Sequence, residues 1–151
     1  MHRFSGTFEH AIDDKSRVAI PSKYRDALSG LHQDRLMVTR FRDADRRCLD
    51  VYPLSAWEEL ESKILAKRRF DHRMQQFKHV YVSGAHECVL DGQGRVLLPQ
   101  HLREYASIGR DVVFTGQIDM FKIWDRDTWQ RTLDEHEKIF DQPNLLDELD
   151  L

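Results

Sequence analysis

Two short segments of this chain each place an aspartate four residues ahead of an arginine: Asp13 with Arg17, and Asp91 with Arg95. That pairing can do chemistry in two steps. The Asp carboxylate accepts hydrogen bonds from the backbone just ahead of it and so organises a tight turn. The Arg held by that turn can grip a phosphate with two parallel hydrogen bonds, or pair with O6 and N7 of a guanine. Taken singly, such a pair is an ordinary turn with its own ion pair. Its context is more specific. In both copies the Arg precedes an apolar run, a proline and a second Arg: Val18, Ala19, Ile20, Pro21 and Arg25 in one, Val96, Leu97, Leu98, Pro99 and Arg103 in the other. Lys15 and Lys23 add point charges able to anchor phosphates in the first copy. The candidate DNA-binding set is thus Arg17, Arg95, Lys15, Lys23, Arg25 and Arg103. Asp13, Asp91 and Gly94 organise the turns, since a carboxylate beside a phosphate would be repelled.

The two segments belong to an internal repeat. Aligned without gaps at an offset of 78, residues 5–25 and 83–103 share eight of 21 letters, among them Ser5/Ser83, Gly6/Gly84, Glu9/Glu87 and Pro21/Pro99. The repeat resumes at an offset of 72, where residues 51–57 match 123–129. The six extra residues of the first copy are the charged stretch 42–47, which reads as a longer exposed loop. The second copy has the tighter Gly116-Gln117-Ile118-Asp119 there.

Each copy therefore needs the same elements to position its turn. A β-like run ends at Ile12 or Leu90, then come the turn and a short strand, 17–20 or 95–98. Pro21 or Pro99 ends the strand and opens a short helix, 22–28 or 100–106. Two more strands follow, 36–41 and 48–52 in the first copy, 112–115 and 120–124 in the second. Each copy closes on a longer helix, with capping-box patterns at Ser55/Glu58 and Asp127/Gln130. Trp57, Leu60 and Ile64 form one apolar stripe; Trp129, Leu133, His136 and Phe140 form another. Both read as core. Phe70, Met74 and Phe77 extend the first helix or form a second one joining the halves. Halves of this size bury too little surface alone, so they must share a core or pack on other subunits.

The 151 residues carry 40% hydrophobic and 32% charged residues, a globular composition. The formal charge of −3 is unevenly spread: residues 1–103 hold 18 Lys+Arg against 14 Asp+Glu, and residues 104–151 hold 5 against 12. That split suits a nucleic-acid surface followed by an acidic tail, and it equally suits two differently solvated surfaces. No apolar leader or membrane-length segment is present, which points to a cytoplasmic location. Cys48 and Cys88 stand alone, without the spacing of a zinc site or a disulfide framework. His86-Glu87-Cys88 resembles half of a metal motif, but the aligned residues are Phe8, Glu9 and His10, so the ligand types are not kept. No phosphate-cradling glycine loop, nucleophile elbow or paired-histidine zinc helix occurs. An enzyme, a metal, a cofactor and a small-molecule substrate are accordingly not expected.

The segments DDKSRVAIPSKYR and DGQGRVLLPQHLR, the opening FSGTFEHAIDDK, the stretch SGAHECVLDGQGR and the trailing YPLSAWEEL and IWDRDTWQ together resemble the MraZ family of bacterial transcriptional regulators. The resemblance covers nearly the whole chain, up to about residue 141. It implies an α+β, β-rich fold: two tandem swapped-hairpin units of the SpoVT-AbrB type in a pseudo-twofold, double barrel-like core, each followed by a helix. On that basis residues 5–54 form the first unit, 55–82 a helical connector, 83–126 the second unit, and 127–151 a C-terminal helix and acidic tail. It also implies ring assembly, nucleoid association, and DNA contact through 13–17 and 91–95. The implied target is a set of short direct repeats in the promoter of the division and cell-wall gene cluster that contains the protein's own gene, which it would repress. One departure stands out. The family's first turn commonly reads Lys-Gly-Arg, whereas this chain has Lys15-Ser16-Arg17. If that position needs a positive φ, Ser16 carries strain that glycine would avoid, and the turn is less ideal but functional.

A single subunit offers few cations, and DNA affinity grows with the number of phosphates neutralised. A homo-oligomer would repeat the Arg17 and Arg95 surfaces and engage several sites at once. The acidic tail should then face away from DNA as a bystander to specificity. The alternative is an oligomeric scaffold or antitoxin-like partner binder that uses the same fold without DNA.

Overall fold

The computed structural model describes residues 3–67 and 70–151. Its centre is a six-stranded sheet in the order β1-β7-β8-β4-β3-β5, with a separate two-stranded ribbon, β2-β6. The strands are β1 Thr7–Ala11, β2 Arg17–Ala19, β3 Arg35–Asp43, β4 Arg46–Pro53, β5 His86–Val89, β6 Arg95–Leu97, β7 Asp111–Gly116 and β8 Phe121–Asp125. All pairings are antiparallel. The helices are α1 Ser22–Gly30, α2 Leu54–Leu65, α3 His72–Phe77, α4 Gln100–Tyr105, α5 Arg126–His136 and α6 Leu145–Glu148. A π-helical turn, Lys78–Val82, continues α3, and a 3₁₀ turn, Glu137–Asp141, continues α5. Among the described residues no helix is long and apolar enough to cross a membrane.

The two repeats exchange their first strands. β1 of the first repeat pairs with β7 of the second, and β5 of the second pairs with β3 of the first. β4 meets β8 at the approximate twofold axis, where Asp50 lies opposite Lys122. The ribbon bridges the two sheet edges. The His10 ring on β1 hydrogen-bonds through Nδ1 to the Ala19 carbonyl of β2 at 2.6 Å. Cys88 on β5 sets its thiol 3.7 Å from the Leu97 carbonyl of β6. The tandem-unit α+β architecture expected from the sequence is the one observed.

Period-two alternation sorts the sheet into two faces. Leu36, Val38, Leu49, Val51, Val112, Phe114, Phe121 and Ile123 point to one face, where they meet Val18, Ile20, Val96 and Leu98 of the ribbon and its flanks, with Tyr24 and Leu28 of α1 and Leu102 of α4. Both repeats thus contribute to one core. Tyr24 is fully buried and packs edge-on against Phe4 and Phe8, while its hydroxyl donates to the Gly6 carbonyl at 2.7 Å. Burying a side chain of this kind contributes about 1.5–3 kcal/mol. The opposite face is more polar. Lys122 Nζ lies 2.6 Å from Asp50 Oδ1, and the Tyr81 hydroxyl donates to Asp50 Oδ2 and meets the Tyr52 hydroxyl at 2.6 Å. Burial beside Asp50 pushes the Tyr81 phenol far above its ordinary range. These contacts satisfy an aspartate that is 3% exposed.

Four local expectations are corrected. The charged stretch 42–47 is no loop: Arg42 pairs with Arg47 and Asp43 with Arg46, so the extra residues lengthen a hairpin that turns at Ala44-Asp45. Pro53, not Ser55, occupies the N-cap of α2, because the proline φ suits the strand-to-helix junction directly; the Ser55 N–H is instead taken by Gln33 Oε1 at 3.2 Å. Asp125, not Asp127, caps α5, accepting from the Asp127 N–H at 3.2 Å. The α5 stripe is core only at Trp129, which packs on Trp124; Leu133, His136 and Phe140 are exposed, His136 lying 3.5 Å from Asp43, and Thr132 is buried instead. The 70, 74 and 77 triad falls on and just before a separate second helix, α3.

Ser16 and Gly94 occupy equivalent turn positions at φ 65° and 72°. The left-handed conformation costs a non-glycine residue roughly 1–2 kcal/mol, offset in part by the greater unfolded-state freedom of glycine. Ser16→Gly is therefore expected to stabilise the fold by about 1 kcal/mol in denaturant titration. Gly94→Ala is expected to destabilise it by about 1–3 kcal/mol, because a Cβ there would also stand 2.4 Å from Cδ of Arg25.

Candidate nucleic-acid interface

The two Asp-Arg turns are built alike, atom for atom. Asp13 Oδ1 accepts the N–H groups of Lys15 and Arg17, both at 2.9 Å, while Oδ2 accepts Arg17 Nε at 3.3 Å. Asp91 Oδ1 accepts the N–H groups of Gln93 and Arg95, again both at 2.9 Å, and Oδ2 accepts Arg95 Nε at 3.0 Å. The backbone closes each turn, with the Asp13 N–H donating to the Arg17 carbonyl and the Asp91 N–H to the Arg95 carbonyl, each at 2.9 Å. Each aspartate thus shapes the loop with one oxygen and orients the guanidinium with the other. Backbone donation from Arg17 holds the Asp13 carboxyl below its ordinary pKa, and Arg95 does the same for Asp91.

The ribbon brings the turns together. β2 and β6 pair through Val18 opposite Val96, with Arg17 opposite Leu97 and Ala19 opposite Arg95. Two reciprocal bonds extend the pairing: the Ile20 N–H to the Gly94 carbonyl and the Leu98 N–H to the Ser16 carbonyl, each at 3.0 Å. Each strand end is thereby fastened to the turn of the other repeat. Arg95 Nη1 comes within 3.8 Å of Asp13 Oδ2, so the two ion pairs touch across the approximate axis. The Arg17 and Arg95 side chains are 33% and 27% exposed. Holding Nε leaves the terminal amino groups of Arg17, and Nη2 of Arg95 beside its Nη1 contact with Asp13, for a ligand. Two guanidinium groups on a rigid ribbon suit recognition of phosphates or guanine edges with little ordering cost.

The other predicted cations divide. Arg25 Nε donates to the Ile20 carbonyl at 3.1 Å and Arg103 Nε to the Leu98 carbonyl at 3.0 Å. Arg25 lies over Gly94, the turn of the opposite repeat. Arg25 thus buttresses the opposite turn, while Arg103 holds the strand-to-helix junction after β6. Lys15 and Lys23 are solvent-exposed, one on the first turn and the other in the first turn of α1. Their counterparts at the same offset are Gln93 and His101, so the cationic surface is richer on the first repeat.

Sequence reasoning missed the roles of His10 and Cys88, which occupy equivalent positions and both reach the ribbon. Their alignment was visible, but two unlike residue types give no signal of a shared task. The His86, Glu87 and Cys88 side chains diverge: Glu87 pairs with Arg35 at 3.6 Å, and His86 faces the His101 ring. Among the described residues no cluster of three or more His, Cys, Asp or Glu could hold a metal ion.

Comparison with known proteins places this geometry. The family model described as "MraZ protein, putative antitoxin-like" matches residues 3–79 and 81–145. The chain is 41% identical over 139 residues to the transcriptional regulator MraZ of Thioalkalivibrio sulfidiphilus, covering 92% of this chain and 91% of that protein. It is 38% identical over 132 residues to the transcriptional regulator MraZ of Shewanella oneidensis, covering 87% of this chain and 86% of that one. With both repeats matched along nearly their whole length, the chain belongs to the MraZ family.

Proposed function

We propose that this protein is a sequence-specific DNA-binding transcriptional regulator. It acts as a ring oligomer on short direct repeats in the promoter of the division and cell-wall gene cluster that contains its own gene, and represses it. The observation that carries this reading is the pair of Asp-oriented arginines, Arg17 and Arg95, set side by side on the β2-β6 ribbon. The naming of its relatives as transcriptional regulators supports it. In this reading Arg17 and Arg95 are the principal contacts, Lys15 and Lys23 add phosphate contacts, and Arg25 and Arg103 hold the opposite turn and the junction after β6 while lending their charge. The location is cytoplasmic and nucleoid-associated. Repetition around a ring compensates for the few cations on one subunit through effective concentration.

Binding to DNA from upstream of the protein's own gene, measured against shuffled DNA across a salt series, tests the reading. Arg17→Ala/Arg95→Ala is expected to abolish specific binding. The logarithmic salt slope should fall by about one for each phosphate contact removed. If either arginine reads a base edge, its loss should cost about 1–3 kcal/mol at one base position and little elsewhere. No specific binding by assembled wild-type protein at low salt would favour the protein-binding scaffold instead.

The turn carboxylates set a pH signature. Their pKa values are depressed on folding, so the stability they contribute is present above the unfolded aspartate value of 3.8 and is lost as pH falls through the still lower folded values. Titration of these turns should therefore leave DNA affinity flat between about pH 5 and pH 8. Asp13→Ala/Asp91→Ala, by contrast, should weaken binding across that whole range by releasing both arginines.

A further inference from the structure

Around the outer end of β3, the α2-α3 segment and Tyr105 at the end of α4 border a groove of about 640 Å³ lined by Phe41, Leu60, Phe77, Val80, Tyr105 and the arginines 40 and 42, among others. Its walls are aromatic and aliphatic, and its charge is positive. The carboxylate inside it, Asp50, is already neutralised by Lys122. Among the described residues no carboxylate lies within ion-pair distance of Arg40 or Arg42. Arg40 is built into the wall: its guanidinium lies 5.8 Å from the Tyr105 ring centre, and a Cβ on Gly84 would stand 2.8 Å from its Nε. That Nε has no hydrogen-bond partner among the described residues.

At the other end of the chain is a segment of the complementary kind. Residues 139–151 contain four carboxylates, Asp141, Asp147, Glu148 and Asp150, and no lysine or arginine. They also expose Phe140 (76%), Leu146 (62%), Leu149 and Leu151. The backbone hydrogen bonds of this stretch are local, running between residues no more than five apart. An apolar-acidic segment that stays outside the core, and an apolar-basic groove left unfilled, match in both hydrophobicity and sign.

We propose that the C-terminal segment of one copy docks in the Arg40/Arg42 groove of a second copy, seating its leucine and phenylalanine side chains between Phe41, Phe77 and Tyr105 with its carboxylates on the two arginines. The inference rests on the homo-oligomer proposed above in requiring a second copy, and it makes the tail an assembly element rather than a bystander. It leaves the Asp-Arg ribbon free for DNA.

The test is the mass of the full-length protein on serial dilution, by light scattering or sedimentation, for the wild type and four variants: the chain ended after Asp141, Arg42→Glu, Asp147→Lys/Glu148→Lys, and the two charge reversals combined. Thermal melting confirms that each is folded; Arg42 is chosen because it is exposed, whereas Arg40 is part of the wall. Truncation and each separate reversal should shift dissociation to about tenfold higher protein concentration, and the combined reversal should recover most of that loss. An unchanged mass for the truncated chain, beside an assembled wild type, overturns this inference and leaves the DNA-binding oligomer standing. A wild type that is monomeric throughout overturns both. A synthetic peptide of residues 139–151, added to the truncated chain, should bind in an Arg42-dependent way. Binding lost in Arg17→Ala/Arg95→Ala instead would put the tail on the ribbon and also overturn the inference.

Discussion

The antiparallel crossing of β2 and β6 is the constraint on which the rest of this structure depends. Each ribbon strand is only three residues long, far too short to be stable by itself. It persists because Val18 and Val96 are buried against the sheet, because reciprocal backbone bonds tie each strand end to the other repeat's turn, and because His10 and Cys88 pin it to the two sheet edges. The crossing forces the first strand of each repeat onto the sheet of the other. It also forces the two Asp-Arg turns together. Fold and candidate site are thus consequences of one contact, and a change that loosens the ribbon would degrade both.

Much of this was legible in the sequence because it is local. Pro21 and Pro99 mark strand-to-helix junctions, and the turn chemistry of aspartate and glycine marks the hairpins. The 78-residue offset then says that whatever holds for one copy holds for the other. The need for a positive φ at position 16 follows from Gly94 in the same way. The strand exchange is not local: the alternation of Thr7–Ala11 fits either β3 or β7 equally well, and only the family resemblance pointed to a swap. The caps of α2 and α5 were misplaced because a capping-box pattern fits two residues downstream of the true cap just as well. The 42–47 stretch reads as a loop because charge usually signals exposure, and it is exposed, but as the end of the β3-β4 hairpin that extends past its neighbours β5 and β8.

The charge asymmetry also has a physical reading. The negative formal charge comes chiefly from the last third of the chain, whereas the ribbon concentrates cations on rigid backbone. Bulk charge is therefore a poor guide to what a surface of this protein will attract. Orientation matters as much as count: the same aspartates that subtract from the ribbon's charge aim its arginines.

The Asp50-Lys122 pair sits where the two repeats meet, at positions equivalent under the 72-residue offset. Were the repeats separate and identical chains, this position would face its own image, aspartate against aspartate or lysine against lysine, in a setting too buried for water to screen the repulsion. Within one polypeptide the two positions are separate residues, so opposite charges can occupy the axis. Either half, assembled with a copy of itself, would set two like charges against each other at this position, so the pair favours the two unlike halves meeting within one chain.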